Sequence, residues 1–356
     1  MTLPAFGHVL SLTDEIGIFE HADHAEPRRE HGYCTDDAAR LLIVAVREPD
    51  HSQAIRELSR TAFRFLAASQ SATGTVRNRR SANGRWPGRW HGRHVTDDCW
   101  GRSLWAFGTA ARSAPEDWMR SSAMSYFDHG VKHRSVHRRS MAFAALGAAE
   151  VAAYDHRHLR ARSLLADAIT TIGRPGTDPR WPWPETRLSY ANAALPEALI
   201  AAGHVLDRPD VVDDGLSLLG WLLDRETHDG HLSPTPAGGS DRDATAPRFD
   251  QQPIEVAAIA DACARAHAVT GDDAWRRGVD LAIGWFAGAN DVGAVMWDSA
   301  TSGGYDGLTP DGPNLNQGAE STLALIATMQ HAPRPEPIGG RGSVTGPVWS
   351  TSRAAR

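Results

Sequence analysis

The sequence predicts an all-α fold, an (α/α)6 toroid in which six helical hairpins form an inner and an outer ring of helices. Apolar residues recur with helical period along most of the chain, and the alternating β-branched runs typical of strands are nearly absent. Two classes of helix alternate, one Ala-rich and poor in charge, the other amphipathic. The motif Thr35-Asp36-Asp37 also returns one hairpin later as Thr96-Asp97-Asp98, which indicates a repeated unit.

The Ala-rich helices are assigned to the inner ring, because a helix without a charged face is packed on all sides. They are predicted to begin near Asp36, Asp97, Arg138, Ser189, Pro253 and Asn316. The amphipathic helices have one face for solvent and are assigned to the outer ring. They are predicted over residues 51–70, 115–131, 158–172, 209–225 and 272–289, and segment 12–21 is expected to supply the sixth.

The chain is expected to form one catalytic domain over residues 1–332, followed by a disordered or extended tail over residues 333–356, where Pro, Gly, Ser and Arg dominate. No run approaches the ~20 apolar residues of a membrane span. The N-terminus lacks the pattern of a secretory signal, and three cysteines are too few for a disulfide framework. These features predict a cytoplasmic protein with no membrane partner.

The charge pattern argues against a nucleic-acid partner. The net charge is −6, whereas phosphate binding needs a clustered basic face. One basic run is present, interpreted as a loop feature rather than as a grip for an anion. It comprises Arg77, Arg79, Arg80, Arg85, Arg89 and Arg93.

The functional mouth is predicted at the face where the inner helices begin. All inner helices run in one direction, so their N-termini and backbone N–H groups open together. The long polar connections also precede inner helices, at residues 70–95, 173–188, 225–252 and 290–315. Long loops on a rigid scaffold are the usual place for binding and catalytic residues.

Carboxylates recur at this face, and the doubled Asp motifs are the first candidates. A single Asp in the first turn is explained by helix capping. Since one Asp suffices to cap a helix, Asp37 and Asp98 are predicted to do chemistry, with Asp36 and Asp97 as caps. An Arg also stands four residues after one member of each pair, at ion-pair spacing: Asp36 with Arg40, and Asp98 with Arg102.

Glu185 is predicted to be the general acid. It ends the connector Trp181-Pro182-Trp183-Pro184-Glu185, in which two indoles would desolvate a carboxyl and raise its pKa. An ion pair with Arg180 or Arg187 is the structural alternative. A protonated acid facing an ionised base is the arrangement of inverting glycoside hydrolysis, with Asp37 or Asp98 as the base that activates water. Asp250 and Glu320 are held as further candidates for either role.

Other polar and aromatic side chains at this face are candidates for binding sugar hydroxyls, which both donate and accept hydrogen bonds. They are His31, Tyr33, Trp90, Trp183, Tyr190, Asn192, Gln251, Gln252, Asp306, Asn316 and Gln317. No metal or cofactor is predicted, because HExxH, CxxC and Gly-rich phosphate-loop motifs are missing from the sequence.

Six stretches in order resemble a family of bacterial all-helical domains that occur alone or behind glycosyltransferase domains. The stretches are GIFEHA, HGYCTDDAARLLI, TDDCWGRSLWA, WPWPETRLSYANAALPEAL, FDQQPIEVAAI and GGYDGLTPDGPNLNQGAESTLALI. The likeness covers about residues 10–330, and its architecture is similar to that of the six-hairpin glycosidases. The resemblance implies chemistry on mannose-containing or related oligosaccharides and association with a glycosyltransferase.

The sequence therefore predicts an inverting glycoside hydrolase acting on an oligosaccharide. One alternative is a sugar epimerase or isomerase on the same toroid, which would use a pair of histidines for proton transfer. His31, His94 and His137 lie near inner-helix starts and are the candidates for that pair. The other alternative is a non-catalytic glycan-binding or scaffolding domain that partners a glycosyltransferase.

Overall fold

A computed structural model describes residues 6–86, 95–245 and 247–333. It confirms the (α/α)6 toroid, with twelve α-helices in the described residues. The inner helices are α2 (Thr35–Arg47), α4 (Asp98–Ser113), α6 (Arg138–Tyr154), α8 (Ala194–Val205), α10 (Pro253–Thr270) and α12 (Ala319–Met329). The remaining helices are α1 (Gly7–Ser11), α3 (Gln53–Ser69), α5 (Asp117–Gly130), α7 (Leu159–Ile172), α9 (Pro209–Glu226) and α11 (Ala274–Phe286).

The six inner helices form a closed ring. Each one contacts the next inner helix along the chain, and α12 contacts α2 to close the circle. Helices α3, α5, α7, α9 and α11 each pack against the inner helix that precedes them. Going round the ring, α4 therefore lies opposite α10, and α2 lies opposite α8.

The sixth outer helix differs from the prediction. Segment 12–21 is not helical, and the short α1 packs against α12 in its place. The Asp14 carboxylate accepts the backbone N–H groups of Ile16 and Gly17 at 2.8 and 3.1 Å. These bonds close a local turn, which competes with helix formation. The chain then returns as bridges that join Thr13 to Ile18 and Phe19 to Tyr33.

Short antiparallel ribbons tie the long connections together at the N-terminal face of the inner ring. The strands are β1 (Ala22–Asp23), β2 (Glu26–Pro27), β3 (Tyr33–Cys34), β4 (Arg79–Arg80), β5 (Arg187–Leu188), β6 (Thr227–His228), β7 (His231–Leu232), β8 (Ser240–Asp241), β9 (Gly307–Thr309) and β10 (Gly312–Asn314). The pairs are β1–β2, β3–β4, β5–β8, β6–β7 and β9–β10. Tyr33 pairs with Arg80 and Arg187 with Asp241, so loops from different hairpins are joined.

Glycines let α4 and α6 approach closely. A β-carbon on Gly108 would overlap the backbone of Gly147, and one on Gly147 would overlap the backbone of Leu104. Gly101 meets Ser140 in the same way near the start of both helices. This contact fixes the beginning of α4 against α6, where the functional face opens.

The tail predicted from residue 333 lies, from residue 334 onward, outside the described residues. The division into a domain and a tail stays a prediction. Within the part of the chain that the structure describes, no helix is long and apolar enough to cross a membrane.

Candidate active site

A cavity of about 600 Å³ opens at the N-terminal ends of the inner helices. This volume falls within the roughly 300–1,000 Å³ typical of small-molecule sites. Four of the five predicted catalytic carboxylates line it: Asp37, Asp98, Asp250 and Glu320. Its other lining residues are Glu20, His21, Cys34, Asp36, Arg40, Asn78, Arg79, Arg102, Tyr190, Gln252, Ile254, Asp306, Asn314, Gly318 and Ser321.

Arg40 joins two of these carboxylates across the junction of α2 and α12. Its Nη1 lies 2.6 Å from Asp37 Oδ1 and its Nη2 lies 2.5 Å from Glu320 Oε2. The Asp37 side chain is 4% exposed, and burial raises its pKa to about 7 against the lowering effect of Arg40. Glu320 is far more open, at 42% exposed. Asp37 is thus locked into the floor, whereas Glu320 reaches into the cavity.

The ion pairs predicted within each Asp motif do not form. Arg40 pairs with Asp37, three residues away, instead of with Asp36. Arg102 lies 3.6 Å from Asp36 on the neighbouring helix instead of beside Asp98. Packing of α2 against α4 brings the two motifs together, so the pairing crosses between hairpins and could not be deduced from spacing on one helix.

The capping role predicted for Asp36 is wrong, and the one predicted for Asp97 holds in position only. Helix α2 begins at Thr35, whose N–H and hydroxyl bond to the backbone oxygens of Asn78 and Arg77. Asp36 therefore lies inside the first turn. Asp97 does occupy the N-cap position of α4, but its side chain makes no capping hydrogen bond.

Asp98 is held by two hydroxyl donors. Ser140 Oγ donates to Oδ1 at 2.7 Å, and the Tyr190 hydroxyl donates to Oδ2 at 2.6 Å. Burial and the Asp98 charge raise the pKa of Tyr190, so its hydroxyl keeps its proton and remains a donor. These two hydrogen bonds fix the Asp98 carboxyl group at the wall of the cavity.

The segment that carries Tyr190 is braced from two other inner helices. Arg139 of α6 donates to the Tyr190 backbone oxygen, stacks on its ring with the guanidinium carbon 4.9 Å from the centroid, and donates to Asn192 at 2.9 Å. Glu255 of α10 accepts from the Asn192 backbone and side-chain amides at 3.2 and 3.1 Å. Arg139 is itself bound by Glu185 at 2.8 Å. These contacts fix the ring that donates to Asp98.

Asp250 is exposed toward the cavity at the start of α10, on the side opposite α4. Partial burial and the nearby charge of Asp306 raise the pKa of Asp250. Gly307 packs against its carboxylate, and a β-carbon there would lie 2.6 Å from Oδ1. Asp306 is anchored by the Gly318 N–H at 2.8 Å and by Ser321 Oγ at 2.5 Å. Asp250 therefore holds a proton more readily than an ordinary aspartate does.

Glu185 does not line the cavity, which corrects its predicted position. The Trp-Pro connector packs onto α9, where Trp183 stacks on Trp221 with ring centroids 5.9 Å apart. The Trp183 indole N–H donates to Glu185 Oε2 at 3.3 Å, while Arg139 pairs with Oε1. The Glu185 carboxylate therefore pairs with Arg139, and the neighbouring tryptophan rings pack in the hydrophobic core.

Several predicted substrate-binding residues are used in the framework. Tyr33, Trp183, Asn192, Gln251 and Gln317 are buried. Buried polar side chains are normally satisfied by the protein itself. Tyr33 donates to Asp14 at 2.7 Å, Gln251 donates to Asp291 at 2.6 Å, and Gln317 accepts from Thr301 at 2.6 Å.

The remaining predicted binding residues divide between the cavity and its surroundings. Tyr190, Gln252 and Asp306 line the cavity. His31 and Asn316 do not: His31 contacts His21, and Asn316 accepts from the His24 backbone at 3.0 Å. Trp90 lies outside the described residues, as does His94.

The sequence reading missed part of the cavity wall. Glu20 and His21 come from the GIFEHA stretch, and Arg79 comes from the basic run that was interpreted as a loop feature. Arg79 forms an ion pair with Glu20. The ordered likeness of GIFEHA to the helical-domain family was the available signal for Glu20 and His21, whereas the assignment of segment 12–21 to an outer helix directed attention away from the cavity.

Three groups in this wall could act together as metal ligands. One ligand atom each from Glu20, Cys34 and Asp37 lies within 4.8 Å of the other two. The Cys34 thiol donates to Asp36 and to Asn78, both at 3.3 Å. Burial raises the pKa of the Cys34 thiol, so the proton-bearing form is favoured. The thiol is thus arranged as a donor to oxygen, whereas a metal ligand would have to be a thiolate.

Comparison with known proteins gives similarity of fold. No family model and no curated protein matches the sequence. Among solved structures, the chain is similar to cellobiose 2-epimerase from Bacillus thermoamylovorans, with a TM-score of 0.68, 10% identity and coverage of 92% of this chain and 95% of that one. The chain is also similar to a sugar epimerase from a ruminal bacterium, with a TM-score of 0.67, 11% identity and coverage of 92% of this chain and 96% of that one.

A metagenome-derived family 9 endoglucanase is also similar, with a TM-score of 0.59, 12% identity and coverage of 88% of this chain and 70% of that one. Epimerases and a glycosidase thus share one arrangement of helices with this protein. At these identities the likeness concerns the backbone, so the chemistry must be argued from the cavity residues. The chain has the (α/α)6 toroid fold of these enzymes.

Proposed function

We propose that the protein is an inverting glycoside hydrolase, with Asp250 as general acid and Asp98 as general base. The observation that carries this proposal is the placement of two carboxyl groups with different surroundings on opposite sides of one cavity. Asp98 accepts hydrogen bonds from two hydroxyl groups, whereas the pKa of Asp250 is raised. Asp98 begins α4 and Asp250 lies three residues before the start of α10, and these two helices face each other across the ring. A substrate between them meets one group on each side, as inversion requires.

The proposed reaction follows from the roles of Asp250 as general acid and Asp98 as general base. Asp250 gives its proton to the glycosidic oxygen as the bond from that oxygen to the anomeric carbon breaks. Asp98 takes a proton from a water molecule, whose oxygen forms the new bond to the anomeric carbon from the opposite face. The products are an alcohol and a sugar of inverted anomeric configuration. Water is the only co-reactant.

Asp98 is a better base than Asp37. The Asp37 side chain is almost inaccessible and its carboxylate is committed to Arg40. Both Asp98 oxygens accept hydrogen bonds at the cavity wall, from Ser140 and from Tyr190. Each carboxylate oxygen has more than one acceptor site, so Asp98 can bind a water molecule while Ser140 and Tyr190 hold it. Asp37 and Glu320 then serve through Arg40 as the charged floor of the site.

The proposed substrate is an oligosaccharide, with mannose-containing glycans as the first class to test. The cavity wall carries acceptors and amides that suit hydroxyl groups, among them Glu20, Asn78, Gln252 and Asn314. The architecture and the motif resemblance support a carbohydrate. The same resemblance supports association with a glycosyltransferase, which co-purification with a glycosyltransferase encoded nearby would test.

A sugar epimerase is the second candidate, and one observation favours it. His21 lines the cavity, and its Nδ1 lies 3.0 Å from that of His31. These rings contact each other and thus occupy one side of the cavity. His137 is not among the cavity residues and is exposed, with Nε2 3.9 Å from Asp97. Two carboxyls on opposite sides suit hydrolysis better than this histidine pair suits proton exchange.

One panel experiment separates the candidates. The purified chain is incubated with manno-, gluco-, galacto- and arabino-oligosaccharides in deuterated water and followed by proton NMR. Hydrolysis gives new reducing ends whose first anomer is opposite to that of the substrate. Deuterium entering an uncleaved sugar would establish epimerisation instead. Saturable binding without turnover would establish a glycan-binding domain, and release of the retained anomer would reject the inverting assignment.

A further inference from the structure

The floor of the cavity contains a charged pair with unsatisfied hydrogen-bonding groups. Arg102 is 4% exposed, lines the cavity, and its Nε–H has no acceptor among the described residues. Asp36 Oδ1 likewise has no donor, and the two atoms lie 3.6 Å apart. That distance exceeds a direct hydrogen bond. Because unpaired buried polar groups cost free energy, the pair is prepared for a third group that satisfies both.

The guanidinium of Arg102 is held in a fixed plane. Its central carbon lies 3.9 Å from the centroid of the Phe143 ring, which is buried on α6. Stacking of an aromatic ring on a guanidinium covers its face and leaves the N–H edges available. On the other side, Cys34 donates to Asp36 Oδ2 at 3.3 Å and leaves Oδ1 free. Donor and acceptor are therefore oriented before any ligand arrives.

We propose that Arg102 and Asp36 form a subsite that binds one hydroxyl group of a neutral sugar unit and selects against acidic sugars. The inference deepens the proposed function, on which it rests for the identity of the ligand as a sugar. A hydroxyl accepts a hydrogen bond and donates one at the same oxygen. It can therefore take the Arg102 N–H and give its own proton to Asp36 Oδ1. A carboxylate or phosphate group can accept the hydrogen bond from Arg102 but has no proton to donate to Asp36.

Charge around the pair opposes an anionic ligand. Carboxylates of Asp36, Asp98 and Glu320 act on the Arg102 guanidinium, and Arg40 is the nearby cation that opposes them. The positive charge is therefore already balanced within the cavity. An incoming uronate would approach three carboxylates in a partly desolvated site, where like charges repel more strongly than in water. A neutral hydroxyl avoids this cost.

The test measures binding rather than turnover. The full chain is titrated calorimetrically with D-mannose, D-glucose, D-galactose and L-arabinose, with the matching uronic acids, and with monodeoxy forms of the best ligand. We expect the best neutral sugar to bind at least about 10-fold more tightly than its uronic acid, and one deoxy form to lose roughly 10- to 100-fold. Arg102→Met and Asp36→Asn should each abolish the discrimination at that single hydroxyl.

Arg64→Met, an exposed change on α3, is the control and should keep both preferences. If circular dichroism shows that Arg102→Met does not fold, the result for Asp36→Asn decides whether the subsite exists. A uronic acid that binds as tightly as its neutral partner would overturn the subsite, as would unchanged discrimination in a folded variant or the failure of the native chain to bind any of these sugars. Sugar binding with this pattern but without hydrolysis would keep the subsite and reject the proposed function.

Discussion

Asp98 and Asp250 face the same cavity from unlike surroundings. Two hydroxyl donors fix the Asp98 carboxyl group, whereas partial burial and the Asp306 charge raise the pKa of Asp250. The two residues are of the same type, so the proposed base and acid roles rest on their different neighbours. Acid–base catalysis needs one group that accepts a proton and one that gives a proton at the same pH.

Asp98→Asn should lower kcat/KM by about 10²–10⁴-fold, because an amide cannot take the proton of the attacking water. The loss is expected for every substrate, whatever its leaving group. Hydrolysis is measured with an oligosaccharide and with the matching dinitrophenyl glycoside. Asp311→Asn, an exposed change on the same rim, is the control. A native rate in a folded Asp98→Asn protein would refute the base assignment.

Asp250→Asn should give a different signature. The oligosaccharide rate should fall by about 10²–10⁴-fold, but the dinitrophenyl glycoside should be spared, since its leaving group needs no proton. In the native protein the proposed acid must be protonated, so activity should fall as pH rises through the raised pKa of Asp250. The variant should lose this basic limb of the pH profile. An equal loss on both substrates would contradict the acid role.

At the scale of elements, the Trp-Pro connector acts on the site through α6 and the Tyr190 segment. Glu185 binds Arg139, which holds the Tyr190 backbone and ring, and the Tyr190 hydroxyl donates to Asp98. Glu185 is therefore a positioning residue for the proposed base. The predicted acid role and this positioning role differ in the size and pH dependence of their effects.

Glu185→Gln should reduce kcat by only about 10-fold, whereas loss of a general acid costs about 10²–10⁴-fold. A looser Tyr190 hydrogen bond leaves the Asp98 carboxyl group less well fixed, so kcat should fall while the basic limb of the pH profile, assigned to Asp250, stays in place. Tyr190→Phe should behave in the same way. Asp178→Asn, which breaks a surface pair with Arg242 just before the connector, should leave kcat unchanged. A native kcat in both Glu185→Gln and Tyr190→Phe would disprove the relay.

The close contact of α4 and α6 depends on glycine, which gives a matched stability prediction. Gly147→Ala should lower the free energy of unfolding by about 1–3 kcal/mol, because its β-carbon would overlap the α4 backbone. Gly220→Ala on α9 has space, with its nearest neighbour atom 3.9 Å away. That change should add roughly 0.5–1 kcal/mol through helix propensity. Urea unfolding of both variants measures the signs, and equal signs would contradict the packing.

At the scale of the whole molecule, the ring closes where its last inner helix meets its first. Arg40 of α2 bridges Asp37 and Glu320 across this seam on the cavity side. Away from the cavity, Gln330 donates to the Val44 backbone oxygen at 2.8 Å. The candidate site and the closure of the toroid therefore share one ion-pair cluster.

Arg40→Met should lower the free energy of unfolding by about 3–5 kcal/mol, because it leaves Asp37 buried without its partner. The folded-state pKa of Asp37, about 7, already lies above its unfolded value. Its contribution to stability is therefore present below the unfolded pKa and lost as pH rises through the folded one. The deficit of the variant should grow as pH rises above about 7, because loss of Arg40 raises the folded-state pKa of Asp37 further and the native and variant carboxyls are both protonated below that pH.

The measurement is urea unfolding at several pH values. Arg60→Met is the control, because it removes a more exposed pair with Glu116 on the outer surface and should lower the free energy of unfolding far less than Arg40→Met does. A deficit in Arg40→Met no larger than that of the control, or one that shrinks as pH rises, would show that the seam does not depend on this cluster.

The sequence by itself determined the ring of six inner helices and the face on which they open, because helical period and the contrast between Ala-rich and charged helices are local properties. The sequence also indicated Asp37, Asp98, Asp250 and Glu320 as candidate site residues. It did not predict the turn around Asp14, where hydrogen bonds to one side chain form a loop in place of the predicted helix. Only the tertiary structure decided the partners of these carboxylates. Arg40, Arg102 and Glu185 each bind a group on another segment, and contacts between hairpins depend on packing of the whole ring.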